Sequence, residues 1–226
     1  MSGPFLSRVS LRRDASTGVV AELIYKSLNN ERELVAHSLL WTLFGDDPER
    51  KRDFLWLETE PGHYLILSER EAVDRHNLFN IETKLFQPSV KKGDYLNFSL
   101  RANATIARKL PEQKRGVRHD IVMNALYKIP KEERSLKRDI LTQKVGCEWL
   151  AHQGELSGFE LSEDFFVTST SVLSLARKYK KPAIFGVMEM RGTLKVTDPE
   201  KLLNKVRSGF GRARAFGCGL MLIKPA

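Results

Sequence analysis

The stretch Ile184-Phe-Gly-Val-Met-Glu-Met-Arg-Gly-Thr-Leu-Lys-Val196, followed at once by Asp198-Pro199, decides how the chain folds. Ile184, Gly186, Met188, Met190, Gly192, Leu194 and Val196 are apolar or small, while Glu189, Arg191 and Lys195 fall between them. A period of two puts the first set on one face and predicts a long, half-buried strand. Asp198 then supplies an N-cap and Pro199 the first helical position, so a helix is predicted to Ser208, with Gly209 at its end. Leu220 to Ile223 reads as a closing strand. Upstream, Phe165 to Thr170 is a strand that Ser171 to Ala176 continues or follows, and Arg138 to Gln153 is a helix carrying Leu141, Val145 and Trp149. Before it, Leu96, Phe98, Leu100 and Ala102 alternate with Asn97, Ser99 and Arg101, which predicts another half-buried strand. The order in this half is β-α-β-β-α-β.

The first half repeats that order. Phe5 to Arg12 reads as a strand, and Asp14 to Asn29 as a helix or an insertion. A helix is predicted from Glu31 to Phe44, with Asn30 as N-cap, Glu33 three residues on as in a capping box, and Gly45 as the stop. Its apolar face uses Ala36, Leu39, Leu40 and Leu43. Phe54 to Glu58 and Tyr64 to Ser68 pair through Pro61-Gly62, a helical stretch follows near Glu69 to His76, and Asn80 to Phe86 forms the last strand. Lys91-Lys-Gly-Asp94 marks the boundary. The fold class expected is α+β, two tandem ferredoxin-like (RRM-like) domains, at residues 1–90 and 91–226.

Composition narrows the function classes. With 42% hydrophobic and 29% charged residues the chain is core-forming rather than disordered. A net charge of +9 and a pI near 9.6 point toward polyanions, because phosphates attract such a surface and release counterions on binding it. Cys147 and Cys218 form no C-x-x-C and no disulfide framework, as in a reducing compartment. The first residues lack the apolar stretch of a signal peptide, and no run approaches the roughly 20 apolar residues that span a bilayer. A cytoplasmic protein without a membrane partner is expected.

Three segments can carry chemistry. In Gly209-Phe-Gly-Arg-Ala-Arg-Ala-Phe-Gly-Cys-Gly219, the glycines Gly209, Gly211, Gly217 and Gly219 permit a backbone whose N–H groups face phosphate oxygens, with charge added by Arg212 and Arg214. A helix cap followed by a glycine-rich turn explains the same spacing, and both readings stand. It is neither a P-loop nor a Rossmann fingerprint, and no cofactor is expected. Arg177, Lys178, Lys180 and Lys181 form a basic tip between two strands, suited to the phosphates of an RNA stem or to a solvated hairpin end. Lys114, Arg115 and Arg118 lie in a basic stretch read as loop, a secondary RNA contact or a solvated face. The histidines at 37, 63, 76, 119 and 152 show no metal-ligand spacing, so no metal site is expected. Asp46-Asp47 reads as a turn, with magnesium binding as the alternative. His37, beside Ser38 in the first helix, has by itself no feature separating it from an ordinary helical histidine.

The combination resembles a known family. Glu33-Leu-Val-Ala-His-Ser-Leu-Leu-Trp-Thr-Leu-Phe44, Arg52-Asp-Phe-Leu-Trp56, Leu100-Arg-Ala-Asn103 and the segment from Gly209 to Gly219 are similar, in order and spacing, to the CasE family of CRISPR-associated endoribonucleases. The segment from Gly209 to Gly219 resembles the glycine-rich loop of the wider RAMP superfamily. The resemblance implies two ferredoxin-like domains and cleavage of precursor CRISPR RNA at the base of the repeat hairpin. It also implies retention of the mature crRNA and association with other Cascade subunits. His37 matches the family's catalytic histidine, and Arg177 to Lys181 its stem-binding hairpin. Two positions depart from the family pattern: Leu34 replaces a frequent tyrosine three residues before the histidine, and Ala104 replaces a proline after Leu100-Arg-Ala-Asn103. Asp14 to Asn30 is also longer than usual.

On that resemblance the substrate's 2′-hydroxyl attacks the adjacent phosphorus, leaving a 2′,3′-cyclic phosphate and a 5′-hydroxyl. Histidine suits the proton transfer because its ordinary pKa of about 6.5 makes both forms accessible near neutrality. Arg32, Arg212 and Arg214 are the candidate stabilising cations and Ser38 a candidate hydrogen-bond donor. The rivals are a non-catalytic RNA-binding subunit and a magnesium-dependent nuclease using Asp46 and Asp47.

Overall fold

The computed structural model describes residues 3–12, 14, 32–45, 49, 51–108, 116–177 and 180–226, with Arg32, Ala176, Arg177 and Lys180 described by backbone alone. In the first half, strands β1 (Phe5–Leu11), β2 (Phe54–Glu60), β3 (His63–Ser68) and β4 (Phe79–Leu85) form an antiparallel sheet in the order β2-β3-β1-β4. This is the ferredoxin-like order, with the first and third strands at the centre. Helix α1 (Arg32–Trp41) continues into a 3₁₀ turn, Thr42–Phe44. Gly45 ends it, but with φ of −79° and not in a left-handed cap. The predicted N-cap, Asn30, lies outside the described residues.

Strand alternation explains the packing. Val9, Phe54, Trp56, Tyr64 and Ile66 bury one face of the sheet against Ala36, Leu40, Leu43 and Phe44 of the α1 layer. Leu55 and Leu67 point the other way and join the core of the second half. With both faces covered, β2 loses the polar alternation of a one-sided strand.

The helix predicted near Glu69 to His76 is not there. Polar side chains give this segment other partners. Arg70 Nε and Nη2 donate to the two Asp53 carboxylate oxygens at 2.6 and 3.1 Å. The Asp74 carboxylate accepts from the N–H groups of His76 and Phe79. Asn77, at φ of 56°, adds a left-handed turn that a helix cannot contain.

The second half begins after a turn in which the Asp94 side chain accepts from the Lys91 N–H and Gly93 has φ of 94°. Its elements are β5 (Tyr95–Ala102), β6 (Thr105–Arg108), β7 (Val117–Asp120), α2 (Ile121–Leu126), α3 (Arg134–Ser157), β8 (Phe159–Leu161), β9 (Phe166–Arg177), β10 (Lys180–Val196), α4 (Pro199–Ser208) and β11 (Met221–Pro225). The order is β11-β5-β10, with β9 and β8 sharing the outer edge of β10, so the ferredoxin-like arrangement recurs. As read from sequence, Asp198 caps α4, accepting from the Lys201 N–H, and Gly209 ends it.

Two expectations change here. Of the basic stretch 114–119 expected as loop, residues 117–119 lie in β7 and pair with β6, because each short strand supplies the other's ladder bonds. Ile184 was expected on the core face but is 67% exposed. Pairing of β10 with β5 begins only at Met188↔Ala102, so the β9–β10 hairpin runs past the sheet and its tip has no layer to pack on. Helix α3 extends beyond 138–153 at both ends, stopping at Gly158 in a left-handed cap. Among the described residues no helix is long and apolar enough to cross a membrane.

Candidate active site

His37 lies on α1 where its packing changes from apolar to polar. Ala36, the residue before it, and Leu40, a turn later, are buried against the helix's own sheet. The imidazole turns toward the second half and meets three aromatic rings: Trp41 at 5.9 Å, Phe54 at 6.2 Å and Phe216 at 6.4 Å between centroids. Phe216 belongs to the 3₁₀ turn Arg214–Phe216 inside the glycine-rich segment, so the two halves of the chain meet at this histidine. The cavity here, of about 650 Å³, is lined by His37, Ser38, Trp41, Arg52, Ala213, Arg214 and Ala215.

The electrostatics follow from that lining. Burial first, and then the charge of Arg52, hold the His37 pKa below its ordinary value. The ring is therefore mostly neutral at pH 7, ready to accept a proton. Its Nε2 is buried and has no hydrogen-bond partner among the described residues; the same is true of Arg52 Nη1. Burial and then Arg214 lower the Arg52 pKa; burial and then Arg212 lower that of Arg214. Lys205, on α4 and 5.2 Å above the Phe210 ring, is lowered by burial and then by Arg214. Guanidinium groups stay charged through such shifts. The result is a run of crowded cations beside a neutral imidazole. An anion there would relieve their repulsion.

The glycine-rich segment is shaped by φ values and close approaches. Ala213, at φ of 52°, stands between Arg212, which is exposed, and Arg214, which is half-buried in the cavity lining. Trp56 Nε1 donates to the Ala215 carbonyl at 3.3 Å, and the same indole lies flat against Gly217, where a Cβ would sit 3.2 Å from the ring. The N–H groups of Gly209, Phe210, Arg212, Phe216 and Gly219 all donate to backbone carbonyls of the protein.

Gly209, Gly217 and Gly219 are buried and pack the loop against the protein, and Gly211 is half-buried. Gly219 has φ of 92° and a Cβ there would lie 2.7 Å from the Phe210 carbonyl oxygen. Gly219→Ala should therefore cost at least about 1 kcal/mol and lower Tm by a few degrees, measured by thermal unfolding; an unchanged Tm would contradict this packing.

The other expected site residues are placed as follows. Ser38 is exposed at the cavity rim, with Oγ donating to the Leu34 carbonyl at 3.0 Å. That hydrogen bond uses its one hydroxyl proton. Arg32 is the first residue of α1. Lys181 and Arg118 are exposed; Arg177 and Lys180 form the last register pair of the β9–β10 hairpin. Lys178, Lys114, Arg115, Asp46 and Asp47 lie outside the described residues. Arg52, Trp41, Phe216 and Lys205 were not anticipated as site residues. Arg52 opens one of the motif stretches, but nothing local marks it as facing a histidine 15 positions away.

A family model described as CRISPR associated protein matches residues 5–225. The chain belongs to that family. Within it, the chain is homologous to the CRISPR system Cascade subunit CasE of Escherichia coli K12, at 29% identity over 194 residues, 84% of this chain and 90% of the relative. It is 28% identical to the CRISPR-associated endoribonuclease Cse3 of Thermus thermophilus over 152 residues, 63% of this chain and 61% of that one. The structure of Thermus thermophilus Cse3 bound to an RNA representing a pre-cleavage complex superposes with a TM-score of 0.67 at 24% identity, covering 99% of this chain and 100% of that one. The Cas6e structure from Escherichia coli K12 matches at a TM-score of 0.57 and 22% identity, over 98% and 100%. These two likenesses concern the fold, and they agree with the tandem ferredoxin-like reading of this CRISPR-associated chain.

Proposed function

We propose that the protein is an endoribonuclease that binds the hairpin of a CRISPR repeat and cuts precursor CRISPR RNA at its base without a metal ion. It retains the mature crRNA as a subunit of a Cascade complex in the cytoplasm. Its two domains divide the work: residues 1–90 carry His37, and residues 91–226 carry the basic hairpin and the glycine-rich loop. The observation that carries this reading is the His37 imidazole in the lining of a cavity whose charged groups, among the described residues, are Arg52 and Arg214. The homology to an endoribonuclease Cse3 and to a Cascade subunit CasE supports it.

The chemistry follows from the lining. RNA brings its own nucleophile, so the protein has to align the 2′-hydroxyl, remove its proton and balance the charge on phosphorus. His37 accepts the proton. The O2′–P bond forms as the P–O5′ bond breaks, and the departing O5′ takes a proton from water, giving a 2′,3′-cyclic phosphate and a 5′-hydroxyl. Arg52 and Arg214 stabilise the additional negative charge of the pentacoordinate phosphate. Among the described residues the cavity lining has no carboxylate, and its two guanidinium groups suit a phosphate. Arg212, Lys205 and the lysines of the hairpin hold neighbouring phosphates and the stem.

The test is cleavage of a CRISPR repeat hairpin in EDTA, with both product ends identified. Cutting at the same rate as without EDTA, to a 2′,3′-cyclic phosphate and a 5′-hydroxyl, is expected. Activity that disappears in EDTA and returns with magnesium would favour a metal nuclease. No cleavage of any repeat would favour a binding subunit.

A further inference from the structure

Glu33 and His37 are four residues apart on α1 and share a face of the helix. The sequence reading assigned Glu33 to a capping box. Its carboxylate meets Arg101 Nη2 of β5 at 3.5 Å, across 68 positions of sequence and from one ferredoxin-like unit to the other. Both side chains are about four-fifths buried, at 20% and 21% exposure. The backbone of the same Arg101 accepts the Gly219 N–H at 2.7 Å. One residue of β5 is thus tied by its side chain to the helix carrying His37 and by its carbonyl to the loop carrying Arg214. The next residue but one continues the connection: the Asn103 carbonyl accepts the Arg212 N–H at 3.1 Å, and its amide donates to the Gly186 carbonyl at 2.7 Å.

The buried apolar residues of α1, Ala36 and Leu40, pack on its own sheet and do not themselves set the helix against the glycine-rich loop. Ring contacts between His37 and Phe216 tolerate sliding, since ring stacking at about 6 Å is soft in register. A part-buried ion pair does not, because parting the partners strands a charge away from water.

We infer that the Glu33–Arg101 ion pair is a positioning device that sets His37 against Arg214 across the junction of the two units. It rests on the proposed role of His37. Neither residue touches the substrate; they act by holding the imidazole and the arginine in one arrangement. A shift of about 1 Å between such groups is enough to cost about 10²-fold in rate.

The experiment compares Glu33→Gln, Glu33→Arg, Arg101→Glu and the charge-reversed double variant, Glu33→Arg with Arg101→Glu, on a CRISPR repeat hairpin. Single-turnover cleavage and hairpin Kd are measured separately, with His37→Ala as control. Glu33→Gln should cleave about 10- to 100-fold more slowly, with Kd within about threefold of wild type. The double variant should cleave at least about tenfold faster than either single reversal, with rates compared at a temperature at which thermal unfolding shows every variant folded. Glu33→Gln cutting within about twofold of wild type, or a double variant no faster than the single ones, overturns the inference. Where Glu33→Gln does not unfold cooperatively, Glu33→Asp is judged by the same rate and Kd criteria, since the shorter side chain keeps the charge and loses the reach. Wild-type cleavage by the His37→Ala control removes the proposed role of His37 itself. An inactive control beside a fully active Glu33→Gln removes only the positioning role.

Discussion

His37→Ala is expected to cut the repeat hairpin about 10²- to 10⁴-fold more slowly than wild type in single turnover, the range typical of losing a proton-transfer group. Hairpin affinity should barely change. The cations that attract phosphate are on other residues, Arg52, Arg214, Arg212 and Lys205, and the exposed tip of the β9–β10 hairpin adds Lys181. Removing the ring also removes a buried nitrogen that has no partner among the described residues, so folding should suffer less than from a typical core truncation. Rate and binding therefore separate in this variant. Gel-shift titration and single-turnover cleavage on one preparation measure both. Tight binding with near wild-type cutting would move the chemistry elsewhere, and loss of binding would make the histidine a structural residue.

Arg52→Gln is expected to lower the rate about 10²- to 10³-fold, the usual cost of removing one preorganised stabiliser of developing charge. It should also change the pH dependence. Arg52 opposes protonation of His37, so without it the imidazole pKa rises toward its ordinary value, although burial still holds it down. Arg214→Gln should share the loss of rate and have a weaker effect on pH, because His37 is shifted by burial and Arg52, whereas Arg214 acts on Arg52 and Lys205.

Much of this was legible in the sequence, for local reasons. Strand β10 and helix α4 declare themselves through period-two alternation and an Asp-Pro start, which neighbouring residues determine. His37 was identifiable only through the motifs around it, since a histidine in a helix has no distinctive spacing. The cation that modulates it was not legible. Arg52 and His37 meet through the packing of α1 on the sheet, a relation that no periodicity encodes. Arg212 and Arg214 looked equivalent, two residues apart in a glycine-rich run. Ala213 in a left-handed conformation leaves the first exposed and the second lining the cavity. The four glycines of that run allowed either a phosphate-facing backbone or a packed turn, and three of them are buried. Glycine spacing reports tight backbone approach but does not say to what. The missing helix at 69–76 has a similar origin: a helical pattern lost to side chains, Arg70 and Asp74, whose partners are known only after folding. Glu33 shows the limit most plainly. A capping-box position four residues before the histidine is bonded to Arg101 in the other half of the chain.

The central claim is that a neutral His37, held so by burial and Arg52, moves the proton in a cleft of cations. It is tested most directly by kcat/KM for hairpin cleavage in EDTA across pH 4.5 to 8, for wild type and Arg52→Gln under identical conditions. The account predicts for wild type a rise with pH whose midpoint lies below about 6.5, the ordinary imidazole value, and then a plateau. It predicts the same shape for Arg52→Gln at lower rate, with the midpoint moved to higher pH. A wild-type profile with no inflection below 6.5, or a midpoint that Arg52→Gln leaves unmoved or shifts downward, would contradict it.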